Sequence, residues 1–134
     1  LGTDVQSCVV QSDRALMTGG RSCVSSLGVH DAIGNVWEWV NEEISGNRFN
    51  DRELPHEGYV TSVDIQGVAL TTGESADVLY GEDYIWSKSE GVFGMLRGGF
   101  YGSGNDAGLY SINASVSTSF ATQGVGFRCV KDLF

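Results

Sequence analysis

Apolar and polar residues alternate in short runs along this chain, and glycine-rich breaks separate the runs. In GNVWEWV, the residues Val36, Glu38 and Val40 alternate with Trp37 and Trp39. A period of two in β-branched and aromatic residues predicts a strand. Two tryptophans on one strand face would bury a large area, which makes them core candidates. The preceding Gly34 and Asn35 suit a tight turn into that strand. YVTSVDIQGVAL alternates in the same way, and IWSKSEGVFGMLRGG leads into a further strand. FRCVKDLF closes the chain as a terminal strand or its flank.

The breaks divide the chain into three parts of one domain spanning 1–134. Residues 1–40 carry small apolar patches such as VQSCVV, interrupted by MTGGRS and SSLG. A polar section from about 41 to 95 reads as a loop-rich insertion with small strands of its own. The remainder holds RGGFYGSGNDAGLYSINASVSTSFATQGVGFR, which follows neither a strand nor a helix period between its RGG and GVGFR ends. The fold class expected is α+β, dominated by short strands and loops with little helix.

Composition narrows the function. With 134 residues and 41% hydrophobic content, the chain can build one core. Nineteen glycines against one proline favour turns and close backbone approaches over long helices. No apolar run approaches the about 18 residues of a membrane helix, so no membrane insertion is expected. The net charge of −9 repels phosphate backbones, and the eight Lys and Arg form no stripe, which argues against nucleic acid.

Of the three cysteines, Cys8 and Cys23 are the closest in sequence and form the candidate disulfide. Three reduced, buried thiols are the alternative. No Cys and His cluster has zinc spacing, and two histidines leave little material for a triad or a multi-histidine metal site.

GVHDAIGNVWEWV resembles the segment around GNVWEW of the formylglycine-generating enzyme family, the sulfatase-modifying domain. LRGGFY and GVGFRCV are similar to that family's later segments, in the same order. The resemblance implies a C-type-lectin-like fold, with small mixed or antiparallel sheets carrying long loops. The oxidases of this family use a cysteine pair shortly after RGG, and FYGSGNDAGLYS has no cysteine. Without thiolates that chemistry lacks its nucleophile and metal ligand. The related sulfoxide synthases draw histidine-rich iron sites from an additional domain.

A second branch of the fold matches more closely. RGG, then AGLY at Ala107 to Tyr110, then GFRC resemble the variable proteins of diversity-generating retroelements, in which the C-terminal region is rewritten at template adenines. An AAY codon changed at adenine never becomes Lys, Glu, Gln, Met or Trp. Those types supply 19 of the 134 residues, yet Phe100 to Thr122 holds none. A plain Gly/Ser-rich loop would also lack them.

This resemblance implies a non-enzymatic, ligand-binding protein with a variable region over about 97–128. It would be displayed on a virus particle or cell surface, and so extracellular. Its partner would be a protein or other macromolecular surface, such as a host receptor. The expected contact residues are Phe100, Tyr101, Ser103, Asn105, Asp106, Tyr110, Asn113 and Ser115. The aromatics serve as rigid anchors and the polar groups as adaptable hydrogen-bonding partners. Tyr110 has burial as its alternative, because Leu109 and Ile112 beside it should point inward. Gly98, Gly99 and Gly108 are read as backbone-geometry residues, Arg97 and Arg128 as structural, and Phe127 as core.

No cofactor is required by this reading. Members of the oxidase branch hold calcium at the segment matching GVHDAIGNVWEWV. The resemblance then implies the Asp31 and Glu38 side chains and the Gly34 and Val36 carbonyls as ligands for Ca2+. The alternative is Asp31 capping a turn and Glu38 pairing with an arginine. Two other functions stay open: an enzyme of the formylglycine-generating or sulfoxide-synthase type, and an invariant lectin-like structural module.

Overall fold

The computed structural model describes residues 7–131. Its strands are β1 (Trp37–Ser45), β2 (Arg48–Phe49), β3 (Arg52–Glu53), β4 (Gly58–Val63), β5 (Ala69–Gly73), β6 (Tyr84–Ser87), β7 (Val92–Arg97), β8 (Ile112–Val116) and β9 (Val125–Gly126). They form one sheet in the order β3-β2-β1-β7-β8-β6-β4-β5, and β9 runs parallel to the start of β1. The pairs β1–β7 and β7–β8 are antiparallel, whereas β6–β8 is parallel. The sheet curls into a half-barrel.

The α+β expectation is overturned. Among the described residues there is no α-helix, only 3-10 turns at Val78–Tyr80 and Gly104–Asp106. The architecture is nearly all β, which remains compatible with a C-type-lectin-like fold. The physical reason lies in the pattern: β-branched and aromatic alternation recurs, and no apolar stripe repeats at 3.6 residues. Even where Asp77 caps a turn by accepting from the Leu79 N–H, the chain reverses at Gly81 after three residues.

The section 41–95 is continuous with the rest. The β4–β5 hairpin joins β6, and β6 joins β8, so these strands extend the common sheet. One sheet face buries Ile44, Val60, Ile85, Met95 and Ile112, each at most 1% exposed. Burying such side chains contributes about 1.5–3 kcal/mol apiece. A second cluster joins Cys8, Val10, Cys23 and Ala107, with Ile33 packed against it. Cys8 and Cys23 form a disulfide, and Cys129 is free and exposed.

Two inward placements fail. Leu109 is 62% exposed and Phe127 is 74% exposed. Leu109 lies ahead of β8, and the alternation that buries Ile112 begins only with the strand. Phe127 follows the two residues of β9, after the chain has left the edge of β1. The final residues of FRCVKDLF, 132–134, lie outside the described residues, as do 1–6.

Candidate functional site

The residues after β7 are held by their backbone. Gly98 and Gly99 adopt φ of 92° and 82°, a region open to glycine. A Cβ on Gly98 would meet the Ala32 carbonyl at 2.6 Å, and one on Gly99 the Ala107 Cβ at 2.5 Å. The next turn closes on Ser103, whose Oγ accepts from the Phe100 N–H while its own N–H donates to the Phe100 carbonyl. Tyr101 donates its N–H to Asn35 and accepts from Ser12, and Gly104 donates to Val10. The backbone of this segment is therefore fastened to the N-terminal part of the chain.

The side chains point elsewhere. Phe100 and Tyr101 are half-buried, with ring centroids 5.0 Å apart, and Asn105 is exposed. Phe100 and Tyr101 border a groove of about 350 Å³ whose walls include Trp37, Leu96, Asn113, Phe120 and Gln123. An adjoining hollow of about 300 Å³ is lined by Trp37, Trp86, Phe100, Ser103, Asp106 and Asn113. Asn113 opposes Leu96 of β7 and Trp86 of β6, because β8 lies between those strands. Its Oδ1 accepts from both the N–H and the Oγ of Ser115, which shares its face.

Six of the expected contact residues, Phe100, Tyr101, Ser103, Asp106, Asn113 and Ser115, thus gather on one side of the sheet, with Asn105 exposed beside them. Tyr110 does not join them. It packs against the main core and stands 5.7 Å from Tyr80.

Other residues on this face were not foreseen. An aromatic row crosses the sheet from Tyr59 to Tyr84 (5.1 Å between centroids), to Trp86 (4.7 Å), to Trp37 (5.8 Å). Alternation in YIWS could place Tyr84 and Trp86 together. Their meeting with Trp37 depends on the long-range pairing of β6 with β8. Trp37 is buried, yet it belongs to neither core cluster; it floors the groove.

Two groups here titrate away from their ordinary values. Burial pushes the Asp106 carboxyl up. Burial also raises the Tyr84 hydroxyl, followed by the charge of Glu57, the neighbouring Tyr59 and Asp106.

The residues proposed for calcium take a different arrangement. Arg128 donates its Nε to Glu38 Oε2 at 2.6 Å and an Nη2 to Oε1, and the same guanidinium reaches the carbonyls of His30 and Asp31. The hydrogen bonds to Glu38 keep this guanidinium firmly protonated. Asp31 Oδ2 accepts from the Gly19 N–H at 2.7 Å. Among the described atoms, Asp31 Oδ1 is left buried without a hydrogen bond. With Glu38 engaged, Asp31 Oδ1 and the Gly34 and Val36 carbonyls fall short of the six to eight oxygens calcium takes. These residues do not fit the metal, because an arginine already holds Glu38. The cysteine pair of thiol oxidation is likewise missing after Gly98, where the sequence offers Cys129 alone.

A family model described as the sulfatase-modifying factor enzyme 1-like domain matches residues 6–133. No curated protein and no solved structure gives a match to the chain.

Proposed function

Since the chain belongs to the sulfatase-modifying factor enzyme 1-like domain family, we propose that it uses this scaffold for binding and not for catalysis. On this reading it is a receptor-recognition protein of the retroelement-diversified kind, carried on a virus particle or cell surface. The partner is a macromolecular surface. The groove and the exposed residues beside it form the binding face.

One observation carries the proposal. The backbone of 99–104 is pinned by hydrogen bonds to Val10, Ser12 and Asn35, while Phe100, Tyr101 and Asn105 keep accessible side chains. Side chains free to vary must not support the fold, and a rigid platform with accessible aromatics meets that condition. The absence of Lys, Glu, Gln, Met and Trp from Phe100 to Thr122 agrees with adenine-directed variation. The Cys8–Cys23 disulfide suits an oxidising, extracellular setting.

Two measurements test this. Incubation with a cysteine-containing sulfatase peptide and copper should yield no formylglycine, and its appearance would restore the enzyme. A near-copy of the coding sequence for residues 97–128, differing at adenines and lying beside a reverse transcriptase gene, is expected in the genome. Without such a copy, the invariant structural module becomes the better reading.

A further inference from the structure

The binding face has a charge and a surface chemistry that together select a ligand. Trp37 and Trp86 meet edge to face, and Tyr84 and Tyr59 continue the row. An aromatic ring presents negative potential on its face and attracts cations there. Among the described residues, Asp106 is the single charged side chain lining the groove and its adjoining hollow, and no described Lys or Arg lines either one. Asn113 and Ser103 add polar atoms beside it. The chain as a whole carries −9. A field of that sign draws cationic partners and repels anionic ones.

We infer that the hollow between Trp86, Phe100 and Asp106 receives a cationic side chain, a guanidinium or ammonium group from a partner protein. This rests on the binding reading above and names its ligand class. The cation lies against the aromatic row and is balanced by Asp106, while the flanking groove past Phe100 and Tyr101 takes the neighbouring residues of the partner. Arginine suits the site better than lysine, because its flat guanidinium stacks on rings and still offers in-plane N–H donors to the carboxylate.

The test is a titration of the folded protein with short glycine-arginine peptides, followed by the tryptophan indole N–H signals in NMR. The arginine peptide should move the Trp37 and Trp86 signals and leave Trp39 nearly still. The same peptide with citrulline, isosteric and uncharged, should bind at least about threefold more weakly. Asp106→Asn should remove most of that difference; its melting curve, compared with the parent's, shows that it folds. Trp86→Phe, which keeps a ring, should weaken the arginine peptide less than Trp86→Ala does.

Equal binding of the two peptides overturns the cation assignment, and so does the absence of any Trp37 or Trp86 shift. A neutral saccharide or an acidic peptide that moves those signals better than arginine also overturns it, while leaving the binding face in place. Formylglycine formation would instead remove the binding reading itself.

Discussion

At the scale of single residues, the Arg128 side chain bridges distant parts of the chain. It ties the segment after β9 to Glu38 on β1 and to the carbonyls of His30 and Asp31, about ninety residues earlier in the chain. A planar fork can make these contacts at once, and a lysine ammonium cannot. The pair is partly open to water, with side-chain exposures of 38% and 20%, so screening reduces its worth. Arg128→Lys should therefore cost about 1 kcal/mol in urea denaturation, less than a buried charged hydrogen-bond network would. The same guanidinium makes a metal redundant beside Glu38. EDTA should leave the melting temperature unchanged, and a calcium-dependent rise would show that a metal, and not Arg128 alone, balances Asp31 and Glu38.

At the scale of elements, the N-terminal segment is the clamp on which the proposed binding face stands. Val10 and Ser12 hold the backbone of Gly104 and Tyr101, and Val10 packs with the Cys8–Cys23 disulfide and Ala107. That disulfide closes a separation of 15 residues. A loop of that length gives about 3 kcal/mol by restricting the unfolded chain. Reduction with dithiothreitol should lower the unfolding free energy by about 2–4 kcal/mol. Equal denaturation midpoints with and without reductant would show that the clamp holds through packing alone.

The elements also show what the sequence could carry. Alternation in VWEWV was enough to locate β1, because side-chain period is a local property, whereas YVTSVDIQGVAL reads as one strand and in fact turns at Asp64–Gly67 into the β4–β5 hairpin. The parallel contact of β6 with β8 was not legible, since it joins segments with no local signal for each other. The place of Trp86 in the site was hidden for that reason. Leu109 and Ile112 looked alike in sequence, and only the start of β8 separates the exposed one from the buried one. The cluster of Phe100, Tyr101, Ser103 and Asp106 was legible because it lies within one turn-rich stretch. Tyr110 was not, because a short sequence does not show on which side of the sheet its ring will fall.

For the whole molecule, the sheet divides labour between its two faces. One face is filled by Ile44, Val60, Ile85, Met95 and Ile112, which have no solvent to adapt to. The other presents aromatics and small polar groups around an open groove. Within 100–115 the two roles interleave: Ile112 and Ala114 face the core, while Asn113 and Ser115 face out. A period of two lets one strand serve both, since each substitution stays on its own side. The consequence is a sharp difference in tolerance between inward and outward positions of this segment. Ile112→Ala should cost about 2–5 kcal/mol, because its cavity forms in a filled core. Tyr101→Asn, Asn105→Tyr and Ser115→Thr combined should cost about 1 kcal/mol or less, the range of surface changes. Chemical denaturation of the two variants decides the matter: if the triple variant loses as much as Ile112→Ala, the outward side chains carry the fold and cannot be freely varied.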